Sequence, residues 1–202
     1  MLSVLLPMTI GTIKLRTLSK PMRVLFLLVL TSFCFDAFSE LVVHANEGGH
    51  PNLWVLNLYT PVETIIYSIF FVMVLKDLIN QKILASFYFL PLVFIIYYTY
   101  KHENRLSDVA LAIESITVIA SSMLFFYVML KKLEHETPLA NPFFWFNSAI
   151  LIYFSSAFFV FIFSDYRKLS SDWNLWNIHS IVRIIFNILI SIGFWKARKT
   201  MT

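Results

Sequence analysis

Six runs of about 18–21 mainly apolar residues set what this chain can become: 24–44, 55–75, 83–100, 110–130, 143–163 and 175–195. An α-helix of about 20 residues crosses ~30 Å of hydrocarbon, and inside a bilayer every backbone polar group must be satisfied within its own segment. Six such runs predict an all-α, polytopic transmembrane helical bundle. Residues 22–202 then form a single transmembrane helical domain, in which short connections pack sequence neighbours antiparallel. Pro61 and Pro91 fall inside the second and third spans and are expected to kink them.

Residues 1–21 read differently. The stretch 1–13 (MLSVLLPMTIGTI) is apolar but too short to span, and Pro7 and Gly11 weaken a helix there. Lys14, Arg16 and Lys20 follow, so the segment reads as a basic leader, interfacial or disordered, upstream of an alternative start at Met22. A seventh membrane segment arises only if this leader inserts. Val43-His44-Ala45 fits a small-x-small cleavage pattern, but Asp36 and Glu40 lie between it and the apolar core, against a signal peptide.

Charge supports a bilayer rather than a nucleic-acid surface. Only 14% of residues are charged, well below the roughly 25% of soluble domains. The net charge of +4 sits between apolar runs. With the N-terminus inside, Lys14, Arg16, Lys20, Arg23, Lys76, Lys82, Lys131, Lys132, Lys196, Arg198 and Lys199 face the cytoplasm. Only Lys101, Arg105, Arg167 and Lys168 face out. By the positive-inside rule this predicts a bacterial cytoplasmic (inner) membrane protein with both termini cytoplasmic. Trp54, Trp145, Trp176 and Trp195 fall at span ends, where amphipathic rings prefer the interface. Cys34, the single cysteine, provides no intrachain disulfide and no cysteine-based metal motif.

Within the spans, ionisable residues gather in the outer halves. Asp36, Glu63 and Arg183 share a depth of ~12 Å at 1.5 Å per residue, with Glu40, Glu114 and His179 nearer the surface. Helical spacing arranges them in stripes: Ser32-Asp36-Glu40, Tyr59-Glu63-Tyr67 beside Thr60, Glu114-Thr117-Ser121, and His179-Arg183-Asn187. Ser148, Ser155 and Ser156 give the fifth span a milder polar side. Because lipid offers polar groups no partner, such stripes face the bundle interior.

A purely structural account has Arg183 pairing with Asp36 or Glu63 and locking helices together. Four carboxylates against one Arg and one His leave negative charge over, so the preferred reading is a water-accessible pocket opening outward. Its candidate ligand-binding residues are Asp36, Glu40, Tyr59, Glu63, Tyr67, Glu114, His179, Arg183 and Asn187. The expected ligand is small and polar or cationic, and no cofactor, metal or nucleic acid is implied. A sensing output would pass to a partner membrane or cytoplasmic protein. The alternatives are a membrane-embedded enzyme using carboxylate acid/base chemistry, and a small-solute transporter. Against the latter stand the lack of an internal repeat and of a polar path through the inner halves.

A second group, His44-x2-Glu47-x2-His50 with His102 and Glu103, has the side-chain types of a zinc site. Gly48-Gly49 breaks any rigid helical spacing there, and these residues read as solvated loops, as does His135.

The run Asn57-Leu58-Tyr59-Thr60-Pro61-Val62-Glu63-x3-Tyr67, with Trp176-Asn177-Ile178-His179, resembles a group of short bacterial multi-pass proteins without assigned function. Over residues 22–196 that resemblance implies a polytopic fold. Pro61-Val62-Glu63 also resembles the Pro-x-Glu element of membrane lycopene cyclases, although Thr64 stands where that family carries a second acid.

Overall fold

The computed structural model describes residues 2–45, 53–76, 79–101, 107–132, 137–162 and 173–197. Nearly all of these residues are helical, with no strand among them. The helices are α1 (Leu5–Lys14), α2 (Lys20–Ala45), α3 (Leu53–Leu75), α4 (Gln81–Lys101), α5 (Asp108–Lys132), α6 (Pro142–Ile162) and α7 (Trp173–Lys196). The helices α2 to α7 are each long and apolar enough to cross a bilayer, which is the architecture of a multi-pass membrane protein. They match the six apolar runs to within a few residues at each end. α3 and α4 continue as single helices through Pro61 and Pro91, each of which removes one backbone donor.

Contacts follow a ring. α2 packs on α3, α3 on α5, α5 on α6, α6 on α7, α7 on α1, and α1 returns to α2. α4 lies outside this ring, against α3 and α5, and exposes Phe87, Phe89, Leu90 and Phe94 as a lipid-facing helix does. Because the spans alternate in direction, one end of the bundle collects Lys14, Arg16, Lys20, Arg23, Lys76, Lys82, Lys131 and Lys196; we call it the basic end. The Lys196 ammonium stands 5.7 Å over the Trp145 ring there, and Lys14 stands 5.7 Å over Trp195.

The half of the bundle nearest that end is packed with phenylalanine. Phe26 meets Phe194 edge-on at 6.0 Å, Phe194 meets Phe146 at 5.1 Å, and Phe143 reaches both Phe125 and Phe70. Phe71, Phe146 and Phe194 are fully buried. Gly193 makes the α6–α7 contact possible, since a Cβ there would lie 2.4 Å from the Phe146 ring. Farther along, α5 and α6 are clasped by a polar pair. Ser122 donates to Asn147 Oδ1 at 2.8 Å, and Asn147 Nδ2 donates to the Ser122 carbonyl at 2.9 Å.

The expected leader is where the fold departs most from the sequence reading. Residues 2–17 are helical, and α1 lies in the notch between α2 and α7 rather than standing apart as an interfacial or disordered segment. Pro7 sits in the first helical turn, where its missing N–H would be unbonded anyway. Gly11, expected to weaken the helix, is buried and lets the backbone come close to Phe26 and Phe194. Ten residues make about 15 Å of helix, half a bilayer. α1 runs from the Ser3–Asn187 contact at mid-bundle down to Lys14 over Trp195, so it fills the basic half only.

Candidate functional site

Above α1, away from the basic end, the ring does not close on itself. It surrounds a cavity of about 340 Å³. Among the described residues every helix of the ring except α1 contributes to its wall, and α4 contributes nothing. From α2 come Ser32, Phe35, Asp36, Ser39 and Glu40; from α3, Val55, Tyr59, Thr60 and Glu63; from α5, Leu111, Glu114 and Ser115. α6 supplies Tyr153, Phe154 and Ala157, and α7 supplies His179, Arg183, Phe186 and Asn187. Val4, just before α1, forms part of the lining.

Eight of the nine residues singled out from sequence therefore line one space: Asp36, Glu40, Tyr59, Glu63, Glu114, His179, Arg183 and Asn187. Their convergence has a simple origin, since helical stripes at matching depth meet when antiparallel spans pack with those faces inward. Tyr67 is the exception. One turn past Glu63 it is buried against Phe154, with ring centroids 5.1 Å apart, and lies outside the lining. The Glu114 stripe also divides: Ser121 accepts from the Tyr88 hydroxyl of α4 at 2.7 Å, tying the outer helix to the ring.

Arg183 donates to the Asp36 carboxylate and, at 3.4 Å, to Ser32. This pair bridges α2 and α7, the two ring members that α1 separates at the basic end. Both partners are half-buried, with side-chain exposures of 31% and 21%. One turn along α7, Asn187 Nδ2 donates to Ser3 at 2.9 Å, joining the cavity wall to the segment beneath it.

The opposite wall is more deeply buried. Glu63 is 9% exposed and Glu114 2%. Thr64 donates to Glu114 Oε1 at 2.8 Å while also lying 2.9 Å from the Thr60 carbonyl, so its single hydroxyl proton is shared between two acceptors. The Tyr59 hydroxyl lies within reach of Ser32 on α2 and of Glu63 on its own helix. The wall thus presents two carboxyls from adjacent helices, each steadied by a neighbouring hydroxyl.

Aromatic rings also line the cavity, and of these the sequence stripes found only Tyr59, missing Phe35, Tyr153, Phe154 and Phe186. Phe35 packs on Tyr59 at 5.1 Å, and Tyr153 packs on Phe186 at 5.1 Å and on His179 at 5.5 Å. Tyr153 thus lines the cavity in contact with both His179 and Phe186 of α7. A tyrosine at mid-span, far from the interface where tyrosines prefer to sit, is the sequence feature that points to it.

Among the described residues no group of three His, Cys, Asp or Glu side chains could hold a metal ion. Of the loop group, Glu47, His50, His102 and Glu103 lie outside the described residues, as does His135; His44 is exposed at the end of α2. No protein-family model matches the chain, and neither a curated protein nor a solved structure does.

Proposed function

We propose that this membrane protein binds or senses a small polar or cationic ligand in the cavity bounded by α2, α3, α5, α6 and α7. The observation that carries the reading is the arrangement of charge: Arg183 is engaged by Asp36, while Glu63 and Glu114 are buried in the same cavity wall. A network serving only to hold helices together needs one acid for its Arg. Buried carboxyls beyond that need weaken a fold unless they serve a purpose, and ligand recognition is such a purpose. The volume lies within the ~300–1,000 Å³ typical of small-molecule sites.

The basic half argues against a through-going path for solute, since phenylalanine and α1 fill the space below the cavity. Capture from the outer side is therefore favoured over transport. We place the basic end at the cytoplasmic face of a bacterial inner membrane, in keeping with nine of the described lysines and arginines lying at that end (those named above and Lys132) and Lys101 at the other.

Two measurements test this. Thermal unfolding of the purified protein in maltoside, screened against small polar solutes, should show saturable stabilisation by at least one of them, and Glu63→Gln should abolish it. A screen in which cationic and neutral polar solutes alike leave unfolding unchanged argues for the purely structural network. For orientation, a reporter fused after Thr202 should behave as cytoplasmic, and a periplasmic readout overturns that assignment.

A further inference from the structure

We infer that the ligand of this cavity is a small organic ammonium ion, held by the Glu63–Glu114 wall and the aromatic rings that line the same cavity. The inference rests on the cavity being a binding site and adds the chemical class. Three observations select it. The first is charge: the two most deeply buried acids of the lining lie on helices that pack together, while Arg183, the guanidinium lining the cavity among the described residues, is already directed at Asp36. The site complements a positive charge better than a negative one.

The second is size. At ~30 Å³ per water the cavity holds the equivalent of roughly eleven waters. A bare metal ion in so large a space would need a shell of six or more oxygens converging on one point. The described residues offer no cluster of that kind. A small organic cation fits within the volume and spreads its charge over a larger surface.

The third is the character of the walls. Besides the acids and Arg183, the cavity is lined by Phe35, Tyr59, Tyr153, Phe154 and Phe186. An aromatic face attracts an alkylated ammonium through its quadrupole, with no requirement for oxygen ligands. Two ring pairs, Tyr59 with Phe35 and Tyr153 with Phe186, bring aromatic faces to the cavity from α2, α3, α6 and α7. Carboxylates supply the long-range attraction, and the rings supply contact surface that a hydrated inorganic cation would not use.

The test is calorimetric titration of the dialysed protein in maltoside with choline, tetramethylammonium, sodium chloride, glycine betaine and 3,3-dimethyl-1-butanol. The last is the neutral, nearly isosteric counterpart of choline. Choline or tetramethylammonium should bind saturably, and the neutral counterpart roughly tenfold more weakly or not at all, the loss expected on removing the charge from a desolvated aromatic site. Sodium should not compete at equal concentration. Glu63→Gln and Tyr153→Leu should each weaken choline by roughly tenfold or more. If one of these variants fails to fold, Glu114→Gln replaces it.

Equal binding of choline and its neutral counterpart overturns the inference, as does choline binding unchanged in folded Glu63→Gln and Tyr153→Leu. Binding of betaine with none of choline or tetramethylammonium means that a ligand carboxylate is required, and it overturns the assignment to a cation. Binding only of neutral solutes removes the ammonium class but leaves the cavity as a polar-ligand site. Binding of nothing in a wider polar screen removes both readings.

Discussion

Toward the basic end the helices of the ring meet through apolar rings, with Phe26 on Phe194, Phe194 on Phe146, and Phe143 on Phe70 and Phe125. Toward the other end the same helices face one another across Asp36, Glu63, Glu114, Tyr153 and Arg183, and an open volume remains between them. Lipid tails are as apolar as phenylalanine, so packing in the first half gains from close contact rather than from escape from water. The second half gives up close contact and carries buried charge. One half thus holds the helices at fixed distances, and the other uses those distances to keep a cavity open. Placing α1 in the dry half strengthens the division, because it fills the notch between α2 and α7 only where no cavity is present.

Breaking the pair that spans the open half should have the largest effect. Arg183→Leu strands Asp36 and removes the bridge between α2 and α7. Loss of one partner of a buried pair costs ~3–5 kcal/mol, and the half-exposed geometry puts the expected loss at about 3 kcal/mol or less. Asp36→Asn in the same chain should restore much of it. Unfolding in mild detergent, monitored by tryptophan fluorescence, measures both. Wild-type stability of Arg183→Leu would mean that the bridge is not what holds the open half together.

Phe146→Ala probes the dry half on the same scale. Soluble cores lose about 3–5 kcal/mol for such a change, but lipid removes much of the transfer contribution and leaves the cost of the void, so about 2 kcal/mol is expected. Ligand binding should survive it, since Phe146 is not part of the cavity wall. A variant that loses binding while retaining most of its stability would show that the halves are not separable.

Gly11→Ala sharpens the role of α1. The added methyl would stand 2.4 Å from the Phe26 ring, so either the ring turns or α1 moves outward. Overpacking costs about 1–3 kcal/mol, and the lower end applies if Phe26 can yield. If α1 is seated as described, a cysteine replacing Ser3 should become more reactive toward a membrane-permeant maleimide in Gly11→Ala than in the parent. Unchanged reactivity argues that the segment tolerates the methyl in place.

The sequence carried more of the open half than of the dry half, for physical reasons. Charged residues at matched depth in apolar spans are rare, so Asp36, Glu63 and Arg183 stand out, and antiparallel packing brings them together. Phenylalanines do not stand out, because 21 of them are spread through the chain and period alone does not separate Phe154, which faces the cavity, from Phe159, which is exposed. Tyr67 shared the Glu63 stripe but sits one turn farther on, where the helices have already closed. α1 was the least legible element. Its Pro and Gly look like breakers, and the partners that make Gly11 useful are Phe26 and Phe194, one of them at the far end of the chain.

The smallest change in stability with the largest expected change in binding belongs to Glu63→Gln. Glutamine keeps the length of the side chain and an oxygen that can accept from Tyr59, so the wall beside α2 stays intact. Arg183 keeps its own partner, Asp36, and so loses no ion pair. Replacing a buried carboxyl that stands outside the Arg183–Asp36 pair relieves desolvation, which offsets whatever is lost in hydrogen bonding. The expected net effect on unfolding is within about 1 kcal/mol, the size of a single hydrogen bond in this setting. Binding should respond very differently, because the charge that balances a cationic ligand has gone. Thermal unfolding and calorimetric titration on the same preparation separate the two. Full binding by Glu63→Gln together with none by Glu114→Gln would move the centre of the site from α3 to α5.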